Sequence, residues 1–353
     1  MFRQLMAGIA ACGICVGALR AAEPSPVEQL ETFVVSGEQP GPGLWKVSKG
    51  DHVMWVLASY GPLPKGMTWR TGEIEKRIAE SQEVLSGGGV NIGANIGILR
   101  GLTLIPAALK ASKIPDGRTL KDVLPAETYA KWLALRLKYI GKDDDVEKLR
   151  PSIALEQLRG AAARKNGLSG GPNVFAVVSD LRKKHRVARN MLPTISRTLN
   201  VENPRGILKN AQKLQLPDVE CFTEGLDKVE SEVERARQLA NAWARGDIQT
   251  LRSLHRNLKI KDAVQERCTY ALTVALSEGE SANSAHAKKM FDDAMWHIEQ
   301  ASVQSQIDWV AAAQKSLEKN RSTFTILSVG DVFRPDGHLE KLRALGYTVE
   351  EPR

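Results

Sequence analysis

The chain has 353 residues, with 49 Lys and Arg against 41 Asp and Glu, a formal net charge of +8 at pH 7. That length is enough to bury a sizeable core. The excess of base is spread thinly and shows no basic run interleaved with aromatics, which argues against a nucleic-acid binder.

Taken from the N-terminus, Arg3 is the only charge before an apolar run from Leu5 to Leu19, closed by Ala21-Ala22 and followed by Glu23-Pro24-Ser25-Pro26. A positive start, a short apolar centre and a small-residue exit predict a signal peptide over residues 1–22, too short for a permanent anchor. Ile9-Ala10-Ala11-Cys12 reads like a lipoprotein acceptor box, but the apolar stretch ahead of Cys12 is very short. Export to the periplasm without a lipid anchor is therefore expected, and no later segment is suited to span a membrane. Cleavage after Ala22 removes Arg3 and Arg20 and no acid, lowering the net charge from +8 to +6. A surface of that sign favours anionic polysaccharide, lipid headgroups or cell-wall polymers, the plainer alternative being a solvated basic surface. Cys12 and Cys15 leave with the signal. Cys221 and Cys268 remain as one pair in an oxidising compartment, which predicts a disulfide, with two separate buried thiols as the alternative.

Residues 23–43 are rich in Pro, Gly and Ser and predict a linker; a single domain is expected over 44–353. Leu44-Trp45-Lys46-Val47 opens it, Ser48-Lys49-Gly50-Asp51 reads as a hairpin turn, and His52 to Ser59 is apolar on both faces, as in a buried strand. A helix is predicted from about Thr71 to Ser81, with Glu73 and Glu75 in its first turn, then a strand at Glu83-Val84-Leu85. Gly89, Gly93, Gly97 and Gly101 recur every four residues, but Asn91, Asn95, Arg100 and Pro106 argue against burial in a membrane, so an extended edge is expected. Helices dominate roughly 125–320. Tyr129, Leu133, Leu137 and Ile140 form one apolar stripe. Val219, Phe222, Leu226, Val229, Val233, Ala236, Ala240 and Trp243 form a longer seam, read as an intrachain hairpin or, alternatively, an oligomer-forming coiled coil. Further helices are predicted near 261–276 and 284–319. Phe324 to Val329 is a strand, Gly330 to Gly337 a loop, Leu339 to Leu345 a helix, and Tyr347 to Glu350 the last strand. Strands at both ends and helices between them predict an α/β fold of α+β character, with a central mixed sheet and a large helical insertion.

Ligands of open α/β sheets sit at the carboxyl ends of strands, which singles out Ala58-Ser59-Tyr60-Gly61 and Gly330-Asp331-Val332-Phe333. Ser59, Tyr60, Asp331, Arg334 and His338 are the candidate lining of a binding cleft. Gly167-Leu168-Ser169-Gly170-Gly171 matches a nucleophile pattern but follows a helical stretch, so a loop is expected. His286 and His297 are about 16 Å apart along a helix, too far to share an ion.

Several stretches together resemble the TraB/GumN family. Leu44 to Val47 leads through a Gly-Asp turn and a strand to Leu63-Pro64-Lys65-Gly66-Met67 and Trp69-Arg70. Pro115-Asp116-Gly117, Thr119-Leu120 and Asp122-Val123-Leu124 agree in the middle. Ala242-Trp243, Gly246-Asp247 and Trp309 follow, with Gly330, Pro335-Asp336-Gly337 and Gly346-Tyr347 at the end. The resemblance implies a fold related to the Tiki metalloproteases, whose metal site uses two Gly-x-x-His motifs and a glutamate. Two imidazoles and a carboxylate suit a divalent ion with an open position for water. Here Ala58 and Gly61 stand for the first motif, Phe333 replaces the second histidine, and Ser86 or Gly87 stands for the glutamate. No catalytic residue, metal ligand or cofactor is carried over. The expectation is a catalytically degenerate binding protein of the envelope. The alternatives are a metal-dependent hydrolase with other ligands, drawn from Asp331 and His338, or a structural scaffold.

Overall fold

The computed structural model describes residues 37–352 apart from 200, 202, 214–217 and 259–281. The predicted signal peptide, the predicted helix near 261–276 and the Cys221–Cys268 bridge, through Cys268, lie outside the described residues.

In chain order the elements begin with β1 (Gly37–Gln39), β2 (Leu44–Lys49), β3 (His52–Ser59), β4 (Met67–Trp69), α1 (Gly72–Ala79), β5 (Glu83–Gly87), β6 (Val90–Ala94) and α2 (Ile98–Ala111). Then come α3 (Leu120–Val123), α4 (Ala126–Tyr139), α5 (Pro151–Lys165), α6 (Val174–Lys184), β7 (Ala188–Leu192), β8 (Ile195–Leu199), α7 (Pro204–Lys213), α8 (Asp218–Arg245) and α9 (Ile248–Leu258). The chain closes with α10 (Ala282–Lys319), β9 (Ser322–Ser328), α11 (Val329–Phe333), α12 (His338–Ala344) and β10 (Thr348–Glu350).

The central sheet has the order β10-β2-β3-β9-β5-β7. Strands β3, β9, β5 and β7 run parallel; on one side β2 pairs antiparallel with β3, and β10 antiparallel with β2. This is the mixed sheet of N- and C-terminal strands expected from the sequence, with β7 added from the middle of the chain. Strand β3 is interior because both its faces are apolar: Met54, Val56, Leu57 and Ala58 are all essentially inaccessible. Gly50, at φ +61, makes the β2–β3 turn that other residues adopt only with strain.

Strands β7 and β8 lie inside the stretch read as helical. Their alternation is weak, because Arg189, Met191, Arg197 and Thr198 face out and carry little apolar signal. The pair β5/β7 continues beyond the sheet as a second parallel pair, β6/β8. The link on one side is Gly87-Gly88-Gly89, with φ of +87, +78 and +96. A Cβ at Gly87 would sit 2.5 Å from the Leu192 carbonyl oxygen, so only glycine fits that exit. The extended edge predicted across Gly89–Gly101 therefore holds only to Ala94. From Ile98 the Leu- and Ala-rich sequence forms helix α2, with Leu104 buried towards α7.

Two apolar clusters fill the interior. One joins the sheet to α1, α8, α9 and α10 through Trp45, Trp69, Trp243, Trp309 and Phe324. The other lies among α3, α4, α5 and α8, around Leu120, Trp132, Leu158 and Phe222. The predicted stripe on α4 is displaced by one position. Leu137 is exposed, and the face turned inward is Thr128, Trp132 and Arg136. Polar partners explain the shift: Trp132 Nε1 donates to Glu147 at 2.8 Å, and Arg136 pairs with the same carboxylate at 3.0 Å. On α8 the seam residues Phe222, Leu226, Val229, Ala240 and Trp243 are buried within the chain. Helix α8 packs chiefly along α5, the intrachain arrangement.

Candidate functional site

The parallel strands β3, β9, β5 and β7 all end at one edge, and two adjoining hollows open there. The larger, about 960 Å³, is lined at the strand ends by Ser86, Gly87, Met191 and Ser328. Helices α6 and α10 supply Phe175, Arg182, Ser305, Gln306 and Trp309, and the segment after β9 supplies Asp331, Arg334 and His338. The smaller, about 560 Å³, is lined by Ser59, Tyr60, Asn173, His255 and Gly330 among others. Ser328 and Phe175 border both.

The five sequence-chosen residues are thus divided. Ser59 and Tyr60 belong to the smaller hollow, and backbone carbonyls already engage both hydroxyls. Ser59 Oγ donates to Leu327 O at 3.2 Å, and the Tyr60 hydroxyl donates to Ala236 O at 3.3 Å. Burial pushes the Tyr60 pKa up to about 12, so it stays a neutral phenol.

Asp331, Arg334 and His338 face the larger cleft. The loop expected at 330–337 begins as the short helix α11, because Ser328 caps it: its Oγ accepts from the Asp331 amide at 3.0 Å and donates to Asp331 Oδ2 at 2.6 Å. Asp331 Oδ1 stands 3.8 Å from His338 Nδ1, beyond hydrogen-bond reach. The His338 ring meets Trp309 edge-on, with centroids 4.8 Å apart. Burial holds the imidazole below its ordinary pKa, and the Asp331 charge opposes this only in part. Arg334 forms a two-pronged bond to Asp336, at 3.0 and 2.8 Å, which holds its guanidinium firmly charged. Across the cleft, Arg189 donates to Ser86 Oγ at 3.1 Å and Arg182 to Val187 O at 2.9 Å. Three guanidinium groups therefore border a cleft with apolar walls from Phe175, Met191, Val303 and Trp309.

Sequence reasoning missed Arg182, Arg189, Phe175 and Ser305. They come from α6, β7 and α10, far from the two loops along the chain, and no local spacing marks them. The Gly167–Gly171 segment is a loop between α5 and α6, as expected.

The positions that would supply a metal site do not suit one. Gly61 has no side chain. Phe333 is packed by its ring against Trp45, at 5.9 Å, and the guanidinium of Arg252, at 5.4 Å. Ser86 accepts from Arg189, and Gly87 has no room for a side chain. Among the described residues no three His, Cys, Asp or Glu side chains gather as a metal cluster. The same residues contain no helix long and apolar enough to cross a membrane.

No curated protein and no solved structure matches the chain. A model of the TraB/PrgY/gumN family, by contrast, matches residues 43–351, which takes in the whole sheet, both hollows and the helices between. The chain belongs to the TraB/PrgY/gumN family.

Proposed function

We propose that this is an exported family member that has lost metal-dependent catalysis and acts by binding at the cell envelope, in the cleft at the parallel strand ends. The observation that carries the reading is that the positions where metal donors are expected hold none: Ser86 and Gly87 in the wall of the cleft, Gly61 in the adjoining hollow, and Phe333 packed on Trp45. What remains is a surface for recognition: Arg182 and Arg189 for anionic groups, and the exposed Phe175 and Met191 for a ring or an aliphatic face. An anionic polysaccharide segment offers both, since a uronic acid carries a carboxylate on a sugar ring.

The test is metal retention together with ligand binding. The processed protein, incubated with manganese, cobalt or zinc and desalted, should keep no stoichiometric ion and cleave no peptide. A uronic-acid oligosaccharide should bind and lose about tenfold in affinity in Arg189→Gln, the loss of one charge-assisted contact. One retained ion per chain, with cleavage abolished in Asp331→Asn or His338→Ala, would replace this reading with that of a hydrolase using unfamiliar ligands.

A further inference from the structure

Helix α2 stands out from the rest of the surface. Leu99, Leu102, Ile105 and Leu109 are 82, 57, 49 and 60% exposed. Spaced three, three and four residues apart, they lie along one face, opposite the buried Leu104. Four large aliphatic side chains in one exposed row are unusual for a surface that meets only water.

The charge on α2 and the segments beside it has one sign, the nearest acids of α10, which packs on β6, β8 and α7, being Asp292, Asp293 and Glu299. Residues 88–112 and 195–213, which form β6, α2, β8 and α7, contain Arg100, Lys110, Arg197, Arg205, Lys209 and Lys213 against the single acid Glu202. Lys110, Arg197, Arg205 and Lys209 are exposed. Two copies of the chain joined through this face would bring cation against cation. A polysaccharide would meet the charge but offer no phase for the leucines. An anionic bilayer surface satisfies both, with headgroups for the cations and acyl chains for the aliphatic row. The helix has 14 residues, about 21 Å of rise, too short to cross a hydrocarbon core of about 30 Å. It suits lying in the interface.

We infer that α2, with the basic residues of α7 packed on it and of β8 beside the strand that leads into it, is a docking surface for an anionic lipid bilayer. The inference is separate from the cleft reading, since none of Leu99, Leu102, Ile105 or Leu109 lines the cleft.

Vesicle flotation tests it with the processed full-length protein. The protein should float with phosphatidylglycerol–phosphatidylethanolamine vesicles and far less with phosphatidylcholine alone, and the difference should shrink at high salt. L102D/L109D should weaken binding by about tenfold or more while leaving the thermal midpoint unchanged, because both side chains are already exposed. Arg197→Gln with Lys209→Gln should weaken binding to anionic vesicles only. No flotation of the parent protein, or equal flotation of L102D/L109D, would overturn the inference. So would a parent dimer in light scattering that the double variant dissolves, which would assign the face to a second copy instead.

Discussion

At the scale of single residues, His338 carries the clearest pH signature. Its ring is buried against Trp309, Nδ1 receives no hydrogen bond, and burial outweighs the attraction of Asp331, so its pKa lies below the ordinary 6.5. In the unfolded chain the imidazole takes up a proton near pH 6.5, whereas in the folded chain it does so only at lower pH. Between those two values the unfolded state binds more protons, so this group lowers stability as the pH falls through the window. His338→Phe keeps a ring against Trp309 and removes the titration. Thermal melts from pH 7.5 to 5 should show a smaller loss for the variant than for the parent. An imidazole resonance titrating at or above 6.5 would contradict the assignment. The placement of His338 in the cleft was legible in the sequence, because Asp331 lies in, and His338 next to, the loop expected after a strand end. Its partner Trp309 was visible only as a family feature, since it comes from a different helix.

At the scale of elements, α4 shows how a buried polar pair overrides apolar periodicity. Leu133 and Leu137 promised an inward stripe, yet the helix turns Arg136 inward to meet Glu147 at 3.0 Å and Asp144 at 2.8 Å. The Arg136 and Glu147 side chains are only 8% and 11% exposed, so breaking the pair leaves a charge with little water to solvate it. Arg136→Met should cost about 3–5 kcal/mol, read as a fall in the urea midpoint. The double variant Arg136→Met with Glu147→Gln should recover part of that loss, because neither charge is then left behind. Equal midpoints for parent and single variant would show the pair to be solvated after all. The strands β2, β3, β5 and β9 were legible because their apolar faces are continuous or follow a clear turn. Strands β7 and β8 were not. Each is five residues long, and β8 lies outside the central sheet, so burial never imposed a pattern on its sequence.

At the scale of the whole molecule, α8 decides whether the chain behaves as one unit. Its first half supplies Phe222, Leu226 and Val229 to the helical cluster, and its second half supplies Leu239, Ala240 and Trp243 to the sheet cluster. Trp243 is tied further: its indole donates to Ala58 O at 2.7 Å, at the end of β3, and its ring meets Trp69 edge-on at 5.0 Å. A continuous helix transmits loss of packing from one cluster to the other, so the single domain expected over 44–353 should unfold in one cooperative step. Leu158→Ala tests this from the far side, since Leu158 is wholly buried in the helical cluster and outside the sheet cluster. The cavity should cost about 2–5 kcal/mol. Far-UV circular dichroism follows both clusters, while tryptophan emission is weighted to the sheet side, where Trp45, Trp69, Trp243 and Trp309 lie. Both probes should shift by the same amount. An early circular-dichroism transition with unchanged tryptophan emission would divide the chain into two independently stable parts, and the cleft, built from the sheet side, would then keep its shape without the helical cluster.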